Sequence, residues 1–171
     1  MTKRLIIGSG YLGLRVAKLW QTLGHDVHLL TRSEQTAAIF EQQGFTAHIG
    51  DVTQLSTLDH FPAATEVLYA VGFDRTGNYD FHDVYCQGLK NIIERLPQTP
   101  NRFIHISSTG VYGQVDGSLV DEETLAEPMR DAGTAALAAE KALRQSSLAT
   151  SAVSLRLGGI YGPDRVPYLK Q

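Results

Sequence analysis

One stretch near the N-terminus constrains this chain more than any other: Leu5-Ile6-Ile7 runs directly into Gly8-Ser9-Gly10-Tyr11-Leu12-Gly13. Beyond it Leu12, Val16, Leu19 and Leu23 recur at spacings of four, three and four, and Gly24 can end the helix they describe. A β-prone run, a G-x-G-x-x-G loop and an amphipathic helix, in that order, open a βαβ unit. Whatever follows has to be compatible with a parallel sheet.

The same alternation continues. Residues 27–30 read as a second strand, 34–43 as a helix closed by Gly44, and 45–49 as a third strand. The polar segment 53–60 makes a short helix or loop before a fourth strand at 66–71. Within 79–96, Tyr85, Leu89, Ile92 and Leu96 lie on one helical face, which makes Tyr85 a core residue, and Pro97 and Pro100 mark the exit. Residues 103–106 form a fifth strand, the alanine-rich 135–143 a helix, and Ala152–Leu157 a sixth strand. Right-handed crossovers then give a Rossmann-type, doubly wound α/β sheet with helices on both faces and a crevice at the carboxyl ends of its strands. With 43% apolar residues, the 171 positions suffice for one domain, 1–171, with a full core.

In such a loop Gly8 permits the tight turn, Gly10 lets the backbone approach a pyrophosphate, and Gly13 lets the helix pack on the sheet. The helix N-terminus adds free N–H donors and positive potential. Gly8, Gly10, Tyr11, Leu12 and Gly13 are therefore candidate contacts to a dinucleotide. After the second strand, where a carboxylate would bind the adenosine ribose hydroxyls, stands Thr31-Arg32-Ser33. A guanidinium flanked by hydroxyls suits a ribose phosphate, which favours NADP over NAD; the alternative is a solvated arginine. Gly50-Asp51-Val52 follows the third strand. Asp51 suits an acceptor for the adenine amino group or an N-cap for the next helix, and the two roles are compatible.

A formal charge of −3 leaves no basic field to gather nucleic acid or an anionic membrane. The single cysteine, Cys86, excludes an intramolecular disulfide and a Cys-based zinc site within one chain, which fits a reducing, cytoplasmic setting. Lys3-Arg4 precedes only three apolar residues, too few for a signal peptide, and no stretch has the length of a membrane span.

Four further motifs accompany the glycine loop: Asp51-Val52, Tyr69-Ala70-Val71-Gly72, Ser107-Ser108-Thr109-Gly110-Val111-Tyr112-Gly113, and Leu155-Arg156-Leu157-Gly158-Gly159-Ile160-Tyr161-Gly162-Pro163. With these, which span almost the whole chain, it resembles the extended and atypical short-chain dehydrogenase/reductases of the NAD-dependent epimerase/dehydratase group. Its loop is similar to that of an atypical subgroup that includes the bacterial YeeZ-like proteins. The resemblance implies that Val52, Ala70, Val71 and Gly72 line the cofactor and that Ser107 and Ser108 sit beside the nicotinamide. Ser108 matches the catalytic Ser/Thr, whose hydroxyl can donate to a substrate carbonyl, although a serine at a strand end also satisfies turn backbone. Family members usually continue past Tyr161-Gly162-Pro163 into substrate-binding segments. Residues 1–171 are thus expected to be a nearly complete cofactor-binding half, with the substrate-binding C-terminal part absent.

The resemblance breaks at the catalytic pair. The family's Tyr-x-x-x-Lys falls on Ala132 and Ala136, and an asparagine found in some relatives falls on Tyr85. Lys141 lies five residues beyond Ala136, on another face of the helix, and reads as solvated. Tyr112 is a candidate substrate contact or proton donor, set against a packed aromatic beneath the crevice. The implied activity is hydride transfer between a nicotinamide cofactor and a small hydroxyl or carbonyl compound, by analogy a nucleotide sugar. A dinucleotide-binding sensor or scaffold without turnover is the alternative, and a homodimer is among the expectations.

Other clusters point to no chemistry. His25 and His28 lack a third ligand at metal spacing, so no metal site is expected. His105 reads as a satisfied interior histidine. Asp74, Arg75, Asp80, His82 and Asp83 make a polar lead into a helix; they could face substrate, but a solvated helix start explains them without function. Residues 114–123, with Asp116-Gly117 as turn, read as a hairpin or loop over the crevice, followed by an exposed acidic run. No G-x-S-x-G elbow supports a hydrolase.

Overall fold

In the computed structural model, which describes residues 2–166, β1 (Lys3–Ile7) ends in three fully buried residues because both faces of the sheet are covered. Leu5 and Ile7 pack on one side with Val67, Phe103, Leu89 and Ile92, whereas Ile6 packs on the other with Val27, Leu29 and Phe40. Burial on both faces is why such strands read as unbroken apolar runs. The chain continues through α1 (Tyr11–Thr22), β2 (Asp26–Thr31), α2 (Glu34–Gln42), β3 (Thr46–Ile49) and β4 (Glu66–Tyr69). It then forms α3 (Gly88–Arg95), β5 (Arg102–Ser108), α4 (Asp131–Arg144) and β6 (Ala152–Leu157).

All six strands are parallel, in the order β3-β2-β1-β4-β5-β6. The direction of strand addition reverses between β1 and β4, so the loops leaving these two strands turn to opposite faces and open a crevice between them. The doubly wound α/β architecture expected from the sequence is the one observed. Among the described residues no helix is long and apolar enough to cross a membrane.

One local expectation needs correction, and two are narrowed. The buried face of α1 is Gly13 and Ala17, not the leucine stripe: Leu19 and Leu23 are 57% and 62% exposed. Gly13 sets the helix rotation, because a Cβ there would lie 2.0 Å from the Gly8 carbonyl oxygen, and only glycine lets the helix come so close. Tyr85 lies in a π-turn over Asp83–Gln87 that precedes α3, and it packs at the margin of the core cluster that holds Leu89 and Ile92. It is half-buried beside Phe73 and Phe81. Residues 114–123 form a loop without strands; Val115 and Leu119 are exposed, so no apolar pair holds a hairpin together.

Two boundary shifts matter for the site. β4 stops at Tyr69, so Ala70, Val71 and Gly72 leave as loop, and β5 runs to Ser108, so both serines hold fixed strand positions. Asn91 on α3 donates to the Val52 carbonyl at 2.8 Å, which docks this helix against the turn after β3.

Candidate functional site

The carboxyl ends of β1 to β5 open onto one cavity of about 730 Å³. It collects Gly8, Gly10, Tyr11 and Leu12 from the first loop, and Arg32, Asp51 and Val52 from the ends of β2 and β3. Ala70, Val71 and Gly72 come from β4, Ser107 and Ser108 from β5. Gly13 and Tyr112 stand outside this lining.

The glycine loop is shaped for a ligand with acceptor oxygens. Gly8 has φ +95°, and a Cβ there would meet the Ala70 backbone at 2.5 Å, which ties the loop to the exit of β4. Gly10 is the opposite case: its backbone is extended and nothing lies within 4 Å of the place a Cβ would take. The first intrahelical bond of α1 runs from Leu14 N–H to the Gly10 carbonyl, so the amides of Tyr11, Leu12 and Gly13 have no partner within the helix. No acidic residue stands in the first turn of α1 to offset its positive end. Donors, field and open space coincide at this point.

A second segment folds over the same loop. The Tyr11 hydroxyl donates to the Pro163 carbonyl at 3.0 Å, Arg15 donates to it at 3.1 Å, and the Arg15 guanidinium stacks 3.5 Å from the Tyr11 ring. This brings Ile160 and Arg165 into the lining. On the adenosine side expected from the sequence, Arg32 donates from Nη2 to Asp74 Oδ2 at 2.7 Å. The hydroxyl and amide of Thr76, and then Arg32, hold the Asp74 carboxyl well below the usual carboxylate range. Asp51 accepts from the amide and hydroxyl of Thr53 through Oδ1, at 2.9 and 2.7 Å, and so builds its own turn. The helical turn that follows, Leu55–Thr57, has Gln54 rather than Asp51 at its N-cap.

The adjacent serines are polarised in opposite senses. Ser107 donates its proton to Glu140 Oε1 at 2.6 Å, so toward the cavity its oxygen can only accept. Ser108 accepts from the Gly110 amide at 3.0 Å, which leaves its proton free to donate. Glu140 is 1% exposed. Burial alone would raise its carboxyl, but hydrogen bonds from Arg156 and Ser107 and the charge of Arg156 hold it below its ordinary value, so it stays ionised. Arg156 grips it through Nε at 3.0 Å and Nη2 at 2.7 Å, and its Nη1 donates to the Tyr112 hydroxyl at 2.8 Å. That hydroxyl in turn donates to the Asp121 carbonyl at 2.7 Å. Tyr112 is thus a bracket between β6 and the 113–130 loop, with its proton already committed.

The remaining sequence expectations sort clearly. Ala136 faces the cavity, Ala132 does not, and Lys141 is exposed. His105 is buried against Ser154 Oγ at 3.1 Å and also reaches the lining; burial pushes its imidazole down to about 4. His28 and His48 pair with each other at 2.9 Å. Sequence reasoning missed Tyr79, Glu140, Arg156 and Arg165, and left Asp74 among loop residues that face substrate or are merely solvated. For Asp74 a signal existed: a carboxylate two residues past Gly72 follows a strand at the switch point.

The sequence model of the NAD dependent epimerase/dehydratase family matches residues 5–169. The chain belongs to this family. It is 27% identical over 172 residues to a 4-hydroxy-2-methyl-3-oxo-4-farnesyl-3,4-dihydroquinoline-1-oxide ketoreductase of Stigmatella aurantiaca, covering 96% of this chain and 52% of that protein. A solved NAD-dependent epimerase/dehydratase homologue from Methylobacillus flagellatus superposes with TM-score 0.72 at 32% identity, over 95% of this chain and 56% of the other. The Bordetella bronchiseptica enzyme WbmG, solved with NAD and UDP, shares the fold at TM-score 0.75 and 21% identity, over 94% and 54% of the two chains. The chain thus spans about half the length of these relatives.

Proposed function

We propose that the cavity holds a nicotinamide dinucleotide, NADP in preference to NAD, and that the protein is an oxidoreductase acting on a small hydroxyl or carbonyl compound, nucleotide sugars included. One observation carries this: Tyr11 and Leu12, whose amides have no partner within the helix, line the cavity beside the open space at Gly10, and the donating hydroxyl of Ser108 lines the same cavity. Membership of the epimerase/dehydratase family supports it.

A bound nicotinamide would supply the hydride donor or acceptor. In this arrangement the α1 N-terminus holds the diphosphate, Arg32 the ribose phosphate and Asp51 the adenine amino group. Ala70, Val71 and Gly72 run along the diphosphate and ribose. Ser107, limited to accepting, takes a hydrogen bond from a ribose hydroxyl or a carboxamide. Ser108 donates to the substrate oxygen and stabilises the charge that develops there when hydride arrives at carbon. Reduction also needs a proton on that oxygen. Tyr112 stands outside the lining, so it can deliver that proton only by releasing its bond to Asp121 and moving into the cavity.

The Ala136 methyl in the lining favours a second reading, a dinucleotide-binding protein that does not turn over. The two separate in one experiment: oxidation of NADPH and NADH with sugar nucleotides, aldehydes and ketones, with binding measured alongside, for the protein and Ser108→Ala. Slow oxidation that falls about 100-fold in the variant while binding holds is expected of the enzyme. Binding without oxidation selects the second reading, and absence of binding overturns both.

A further inference from the structure

The carboxylate missing from the end of β2 reappears at the same place from another strand. Thr31-Arg32-Ser33 offers none, yet Asp74, 42 residues on and in the loop after β4, reaches across the crevice to Arg32 at 2.7 Å. Asp74 does not hang loosely. Its Oδ1 accepts from the Thr76 amide at 3.0 Å and the Thr76 hydroxyl at 2.6 Å, leaving Oδ2 aimed at the guanidinium. The same loop is held farther along, where Gln54 donates to the Tyr79 hydroxyl at 3.2 Å, and Arg32, Asp74 and Tyr79 all line the cavity.

We propose that Asp74 is a specificity-determining residue that limits the preference for a 2′-phosphorylated dinucleotide by competing with that phosphate for Arg32. This rests on the proposal that the cavity takes a dinucleotide with its adenosine end at β2. Two outcomes face a 2′-phosphate that arrives at Arg32. If Asp74 keeps Nη2, carboxylate and phosphate share one guanidinium and repel; if Asp74 swings away, its bond to Arg32 is lost. Either way the phosphate gains less than a free arginine would give. For a plain ribose diol there is no such conflict, and Asp74 supplies the acceptor that the β2 end lacks. The pair sits 56% and 41% exposed, so the competition is screened by solvent and moderate in size.

The test compares adenosine 2′,5′-bisphosphate with AMP, which differ only in the 2′-phosphate, by calorimetry on the protein at low salt. The discrimination ratio should rise about five- to ten-fold in Asp74→Asn, and this gain should shrink as salt is added. AMP should bind the variant no more tightly than it binds the parent. Arg32→Ala should bring the ratio near unity, and Asp74→Asn added to it should change nothing further, because Asp74 acts through Arg32. Thr76→Ala loosens the loop but keeps the carboxylate, and should move the ratio by less than about two-fold. An unchanged or lower ratio in Asp74→Asn with AMP still bound overturns the proposal, as does an equal rise in Thr76→Ala. Failure of AMP and the bisphosphate to bind any of these proteins would instead overturn the dinucleotide reading itself.

Discussion

At the β1 end of the cavity the groups that can meet a ligand are mainly backbone: three amides at the start of α1, a glycine with open space beside it, and a helix end without an opposing acid. At the β5 end every candidate group is a side chain; Ser108 is set by the Gly110 amide, and the others lean on further side chains. Ser107 depends on Glu140, Glu140 on Arg156, and Tyr112 on Arg156 and Asp121. A backbone site survives most substitutions because its donors belong to every residue. A side-chain site changes with one codon, and Ala136 stands in the lining where the family resemblance places a lysine. The two ends can therefore diverge, one keeping its ligand while the other loses or alters its chemistry.

Glu140→Ala tests that separation with the largest effect. Removing the carboxylate leaves Arg156 without its buried partner and should cost about 4 kcal/mol in urea unfolding. AMP binding, which the proposed site assigns to the β1 and β2 ends, should persist wherever the variant is folded. Unchanged stability would show that the Glu140 network carries no weight, and loss of AMP binding from folded protein would show that the ends are not independent.

A smaller effect comes from pH, and its largest part should arise at the β5 end. His105 titrates near 6.5 when unfolded but only near 4 in the fold, because burial disfavours its charged form. The unfolded chain therefore takes up the proton first. Stability is fully present above pH 6.5 and declines toward pH 4, by about 3 kcal/mol at most. The lowered His48 acts in the same direction. Glu140 does not confuse this window, since its contribution is lost only below its ordinary value of 4.5. Unfolding at pH 7 and pH 5 should give a clear slope that His105→Gln reduces; an unchanged slope would mean that the imidazole is not the group responsible.

The difference between the ends also governs how much of each is legible in the amino-acid sequence. The glycine loop is legible because its spacing encodes backbone needs: a positive φ at Gly8, open space at Gly10 and close packing at Gly13. The doubly wound parallel sheet follows from βα alternation and the handedness of crossovers, whereas its strand order is seen only in the fold. The rotation of α1 is not legible, because apolar spacing suggests a leucine stripe, whereas contact with Gly8 gives Gly13 and Ala17 the buried face. Periodicity places Tyr85 in the core, and it packs against that cluster only half-buried, in a π-turn that a regular helical repeat does not foresee. Asp74 is not singled out from its polar loop, and Glu140 escapes notice, because acids on polar loops and helices are mostly solvated. Their partners, Arg32 and Arg156, lie 42 and 16 residues away and meet them only in the folded sheet.

The central claim is that the loop from Gly8 to Gly13 receives the diphosphate of a nicotinamide dinucleotide, and Gly10→Trp tests it most directly. The Gly10 backbone is extended at a φ of −74°, and nothing lies within 4 Å of its Cβ position, so the indole fills the cavity without straining the fold. Calorimetric titration with NADPH, beside circular dichroism, should show binding to the parent and a loss of at least about 100-fold in a normally folded variant. Equal affinity in the two proteins would contradict the claim.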